Sequence, residues 1–118
     1  MKTKDFIRGT IKTIVLKLLS ENKRMYGYEI TQRVEELSHN EIHLTYGALY
    51  PILYKMEDEG LLVTETEVVD NRARKYYSLT KKGNEVAKVK VSELEKFVDI
   101  MKTLLLPAPK TSLEAWGI

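Results

Sequence analysis

Phe6, Ile7, Ile11, Ile14, Val15, Leu18 and Leu19 recur at the three- and four-residue steps that line one face of a helix, which predicts a first helix over about Asp5–Ser20. The polar run Glu21-Asn22-Lys23-Arg24 then reads as a turn. A second helix starts near Tyr26 and ends around Ser38, burying Val34, Leu37 and either Tyr28 or Ile30, and His39-Asn40-Glu41 reads as the next turn. Thr45 is placed to cap a third helix with the apolar stripe Leu49, Ile52, Leu53 and Met56, and Gly60 supplies its stop. Pro51 falls inside this helix and removes a backbone hydrogen bond, so either the helix bends there or its first turn is irregular. The pattern then changes character. Leu61-Leu62-Val63-Thr64 and Lys75-Tyr76-Tyr77-Ser78-Leu79 are strand-like runs with Asp70-Asn71 as the turn signal between them. Thr80 caps a long final helix, Lys81 to Leu105, which Leu106-Pro107-Ala108-Pro109 cannot continue.

Helix, helix, helix, hairpin, long helix predicts a mainly α chain with a small β-hairpin: a winged helix-turn-helix over residues 1–80, a C-terminal dimerisation helix over 81–106 and a short tail over 107–118. A chain of 118 residues with 43% apolar and 31% charged side chains is large enough for one folded core. No apolar run approaches the ~20 residues that cross a bilayer, and the mixed charges at the N-terminus lack a cleavage signal. Cytoplasm is the expected compartment, with no membrane partner. Cysteine is absent, which excludes disulfides, thiol catalysis and thiolate-bound zinc. His39 and His43 have the spacing of a helical metal pair but fall around a turn and lack a third nitrogen or sulfur ligand, so no metal is expected. Glu57-Asp58-Glu59 point in different directions around a helix and read as a solvated face. Neither a nucleophile–histidine signature, a phosphate loop nor a dinucleotide fingerprint occurs, so no catalytic residue and no cofactor is expected.

The net charge of +2 says little, but its distribution says more. Basic residues gather between Met1 and Arg24 and again between Asn71 and Lys90, while acids gather in Glu29–Glu41 and Glu57–Asp70. Such blocks fit a surface that faces a polyanion, although solvated lysines account for them equally well on charge alone. On the winged-helix reading, Thr45, Tyr46, Gly47 and Tyr50 lie at the N-terminal end and outer face of the third helix, where side chains reach base edges and phosphates. The alternative for Tyr46 and Tyr50 is ordinary core packing, which is the favoured reading for Tyr54. Strand alternation puts Arg72 and Arg74 on one face of the wing, and Lys75 joins them as a candidate phosphate contact. Tyr77 and Leu79 are expected to pack inward. Lys4, Arg8 and Lys12 are further candidate phosphate contacts.

The last helix carries Val86, Val89, Leu94, Phe97, Val98, Met101, Leu104 and Leu105, more apolar side chains than one helix can bury against so small a domain. Their spacing predicts packing against a partner helix and the first helix of a homodimer.

Tyr26-Gly27-Tyr28-Glu29-Ile30, then Gly47-Ala48-Leu49-Tyr50-Pro51-Ile52-Leu53 with Glu57, Gly60 and Leu61, then Arg72-Ala73-Arg74-Lys75-Tyr76-Tyr77-Ser78-Leu79-Thr80 with Gly83, resemble the PadR family of bacterial transcriptional regulators in order and spacing. Asn71 departs from the glycine the family often has there, but asparagine also tolerates a left-handed turn. The short tail is similar to that of the compact members with a single C-terminal helix. The resemblance implies a homodimeric repressor that binds a palindromic double-stranded operator and is often released by a small aromatic or drug-like effector. Some compact relatives carry an effector-lining tryptophan on the last helix. Trp116 lies past Pro107 and Pro109, so a tail anchor is the better reading than an effector contact. The competing function is a winged-helix interaction module whose cationic wing docks an acidic protein.

Overall fold

The computed structural model describes residues 3–108. The chain runs through α1 (Lys4–Ile7), a 3-10 turn (Arg8–Thr10), α2 (Ile11–Glu21), β1 (Met25–Tyr26), α3 (Gly27–Leu37), α4 (Tyr46–Asp58), β2 (Leu62–Val69), β3 (Arg72–Leu79) and α5 (Lys81–Leu105). The expected first helix is therefore broken into two by the turn. Gly9 weakens a helix interior, and the Thr10 hydroxyl donates back to the Ile7 carbonyl at 2.7 Å, competing with the helical ladder. Phe6 is exposed, and full burial begins at Ile11.

The core is built from Val15, Leu16, Leu18 and Leu19 of α2, Ile30 and Val34 of α3, Leu49, Leu53 and Met56 of α4, Leu62 and Tyr77 of the sheet, and Ala87 of α5. Of the two candidates on α3, Ile30 is inside and Tyr28 is exposed. Leu37, expected inside, is exposed too, because it lies one turn beyond Val34 where α3 ends. Left-handed His39 and Asn40 close that helix, with Asn40 N–H on the Glu35 carbonyl at 2.8 Å.

Thr45 caps α4 as expected, its hydroxyl accepting from the Ala48 N–H at 3.2 Å. The helix runs through Pro51 without a break. At the other end, Gly60 takes φ of 76°, Gly60 N–H reaches the Glu57 carbonyl at 3.0 Å, and Leu61 N–H reaches the Met56 carbonyl at 2.9 Å. This paired closure turns the chain at once into the wing.

The hairpin is longer than the apolar runs suggest, because Glu65, Glu67, Arg72 and Arg74 also take part in the ladder. Asp70 and Asn71, at φ of 50° and 62°, form the tight left-handed turn that matches strand twist. A short strand that the sequence pattern does not predict, β1, pairs Met25 with Tyr77 and Tyr26 with Tyr76, so the sheet order is β1-β3-β2. Two residues are too few to show a period.

The end of α4 and the start of α5 are joined directly. Thr80 caps α5 by accepting from Gly83 N–H at 2.9 Å while its hydroxyl donates to the Gly60 carbonyl at 2.7 Å. Thr80 N–H donates to the Leu61 carbonyl at 3.0 Å, and the Lys82 ammonium to the Glu59 carbonyl at 3.0 Å. Gly83 lies so close beneath the Leu61 carbonyl that a Cβ there would strike it. Gly83→Ala should therefore destabilise the fold by about 2 kcal/mol despite alanine's better helix propensity. Urea unfolding measures this, and an unchanged midpoint would rule out the close approach.

Candidate nucleic-acid interface

Tyr46, Tyr50 and Tyr54 follow one another at every fourth residue along α4, with ring centroids 5.6 and 5.8 Å apart. Tyr46 is exposed. Tyr50 is half-buried because its phenol end rests against Gly27, at the start of α3, where a Cβ would collide with it. Tyr54 corrects the expectation of core packing: it is 50% exposed. The apolar stripe of Leu49, Leu53 and Met56 already fills the buried face, which leaves the tyrosines on its flank.

Thr45, Tyr46 and Gly47 are all exposed at the N-terminus of α4, where free N–H groups and the helix dipole favour an anion. Pro51 has no N–H to offer the Gly47 carbonyl one turn earlier. Lys4 and Arg8 line a cleft of about 460 Å³ together with His43, Thr45 and Gly47. Lys12 does not join them. Its ammonium pairs with Glu59 at 3.2 Å, at the opposite end of α4.

The wing cations divide between two faces. Tyr77 is fully buried, so the alternate residues Lys75 and Tyr77 face α4, while Arg72, Arg74 and Tyr76 share the outer face. Arg72 and Arg74 share a face, as strand alternation predicts, and Lys75, their neighbour in the strand, points to the opposite side. On the outer face, the Arg24 guanidinium sits 4.0 Å from the Tyr76 ring centre and bonds Glu65 and Glu67 at 2.8 and 2.7 Å. That contact holds the Glu67 carboxyl below the usual carboxylate range. One guanidinium thus offsets part of the charge of the two β2 acids. Arg72 and Arg74 have no carboxylate in ion-pair range among the described residues. Arg74 lies 4.8 Å over the ring of Tyr26, the residue beside Gly27, so the wing arginine and the α4 tyrosines meet at the start of α3.

The parts played by Arg24, Tyr26 and Glu57 are not visible in the sequence pattern. Their partners lie in distant segments: Arg24 meets Glu65 and Glu67 of β2, Tyr26 pairs with Tyr76 through β1, and Glu57 meets Thr64 and Lys75 of the hairpin.

Val86 packs against the core, and Leu94 lines an apolar cleft of about 510 Å³ between α2 and α5 with Ile14, Leu18, Leu37, Val91 and Val98. Met101 is partly covered; Val89 and Phe97 are exposed, as is Ile100, which falls outside the apolar set expected at the dimer interface. Leu104 and Leu105 reach 71% and 77% exposure. The second half of α5 thus shows apolar side chains on several sides, with nothing among the described residues to cover them. Trp116 lies outside the described residues.

A winged helix carrying a long, apolar C-terminal helix is the class this fold defines. The sequence pattern of the Transcriptional regulator PadR-like family matches residues 15–89, and the chain belongs to that family. It is 38% identical over 80 residues to Transcriptional regulator Rv3488 of Mycobacterium tuberculosis, covering 68% of this chain and 71% of the relative. Among solved structures, it is similar to a transcriptional regulator from Clostridium thermocellum, with TM-score 0.77 and 27% identity over 86% of this chain and 99% of that one. It is also similar to a PadR family transcription regulator from Clostridium difficile, with TM-score 0.70 and 29% identity over 83% and 100%. The chain is accordingly a transcriptional regulator of the PadR family, and no helix among the described residues is long and apolar enough to cross a membrane.

Beneath the interface, the Tyr77 hydroxyl is buried and finds no hydrogen-bond partner among the described residues. Burial pushes its pKa up to about 12, from an ordinary 10.0. Because the unfolded chain releases this proton first, the stabilisation is complete below pH 10 and is lost as pH rises toward 12. Tyr77→Phe should abolish that part of the alkaline loss in denaturant titrations, and should leave stability at pH 7 equal or up to about 1 kcal/mol higher, since it removes an unsatisfied group. A large loss of stability at pH 7 would show that the hydroxyl has a partner.

Proposed function

We propose that this protein is a homodimeric DNA-binding repressor that grips a palindromic operator. The observation that carries this reading is the exposed N-terminal end of α4 together with wing arginines that have no carboxylate in ion-pair range among the described residues, the β2 acids beside them being engaged by Arg24. Thr45, Tyr46 and Gly47 enter the major groove, and Tyr50 supports them from the flank. Lys4 and Arg8 hold phosphates beside the helix start. Arg72 and Arg74 meet the backbone or the adjacent minor groove from the outer side of the wing. Lys12 is left out of this set, since Glu59 engages it.

The dimer is formed by α5, with Phe97, Val98, Met101, Leu104 and Leu105 on the partner's helix and Val86, Val89 and Leu94 nearer the body. Burying a leucine or phenylalanine is worth about 1.5–3 kcal/mol, so a handful of such side chains is enough to hold two copies together. Two-fold symmetry then sets the α4 copies about one turn of DNA apart, ~34 Å. The family resemblance and the apolar cleft between α2 and α5 support release by a small aromatic or drug-like effector. The protein works in the cytoplasm, where its DNA is, and catalyses no reaction.

Selection of bound duplexes from a random pool should return a palindrome with steeply salt-dependent affinity. Arg72→Ala should weaken binding to that duplex ~10-fold and flatten the salt slope by about 0.9 for each phosphate left unneutralised, without lowering thermal stability. Absence of any sequence preference, with capture of acidic proteins instead, would favour the interaction-module reading. Leu104→Asp should convert the dimer to monomer in gel filtration, and a variant that still elutes as a dimer would exclude α5 as the interface.

A further inference from the structure

We infer that Glu57 is a positioning residue that sets the angle between the DNA-reading helix and the wing, and that Lys75 serves as its strut rather than as a phosphate contact. This rests on the DNA-binding reading above and assigns roles to two residues within it. Glu57 projects from the last turn of α4 and touches both strands of the hairpin. One carboxylate oxygen accepts from the Thr64 hydroxyl of β2 at 3.3 Å, and the other lies 3.5 Å from the Lys75 ammonium of β3. The ammonium also stands 5.4 Å from the ring centres of Tyr54 on α4 and Tyr77 on β3. One cation is therefore held by a carboxylate and a ring of the helix and by a ring of its own strand.

This placement has a reason in the strand pattern. Thr64 pairs with Tyr77 and Thr66 with Lys75 across the hairpin, so all four belong to the face turned toward α4. Beyond Tyr77 no apolar residue of that face is buried on the helix: the next inward positions of β3 are Lys75 and Ala73, and Val68, opposite Ala73 on β2, is 76% exposed. Core packing holds the base of the wing, and above it the Glu57 contacts tie the two elements. An ion pair this exposed contributes little to global stability. Its effect is geometric: it fixes how far the wing tip, with Arg72 and the Asp70-Asn71 turn, stands from the start of α4.

Charge alone and positioning predict opposite signs. Removing a carboxylate beside a polyanion raises affinity if Glu57 acts only through its charge. If it acts as a strut, Glu57→Gln lowers affinity for the selected duplex ~10-fold. Lys75→Met should lower it equally, with the salt slope unchanged, and the double variant should be no weaker than either single one. A gain in affinity for Glu57→Gln, or a flattened salt slope for Lys75→Met with additive losses, would overturn the inference and make Lys75 a phosphate ligand.

Hydrogen exchange without DNA separates this from the parent reading. Both variants should exchange the amides of residues 64–69 and 72–75 several-fold faster, with α5 unchanged. Unaltered wing exchange refutes the strut whether or not the protein binds DNA. Faster wing exchange in variants of a protein that shows no duplex binding would keep the strut and discard its use on DNA.

Discussion

The junction at Gly60-Leu61 and Thr80-Gly83 is the constraint on which the other features depend. One threonine caps α5 and at the same time binds the carbonyls of Gly60 and Leu61 that follow α4. Because Gly83 brings the α5 backbone against Leu61, no side chain can act as a flexible spacer between the two elements. The direction of α5 is thus set relative to α4 by backbone contacts.

Around that junction, charge is used mostly to organise the interface. Lys12, Arg24 and Lys75 are each engaged by an acid, and those pairs tie α2 to the end of α4, the α2–β1 turn to β2, and the wing to α4. What remains without an ion-pair partner among the described residues of the interface is a smaller set: Lys4, Arg8, Arg72 and Arg74, the last held over the Tyr26 ring. A chain of net charge +2 can still keep a few cations clear of carboxylates in this way, because part of its acidic charge is offset by Lys12, Arg24 and Lys75. Aromatic rings connect the same parts, from Tyr46 through Tyr50 to the start of α3, and from Tyr26 to Tyr76 beneath Arg24.

Much of this is legible in the sequence. The caps Thr45 and Thr80, the stop at Gly60, the Asp70-Asn71 turn and the limits of the last helix all follow from local backbone chemistry, and each is where it is expected. The errors have a common cause. Spacing assigns Tyr54, Leu37 and Phe6 to apolar faces, but a helix face is wider than the surface that covers it, and spacing does not say where the cover ends. The family blocks around Tyr26, Gly47 and Arg72 are visible as well, and the matched span of residues 15–89 contains all of them.

Periodicity and capping are local, so the chain by itself determined its longer elements, their order and the apolar excess of the last helix. Which cations stand free was decided only in three dimensions. Lys75 and Arg74 are neighbours in the chain, yet strand alternation turns one toward Glu57 and the other over Tyr26. Ion pairing and stacking depend on what lies opposite a side chain, and that partner comes from a distant segment whose register the sequence does not display.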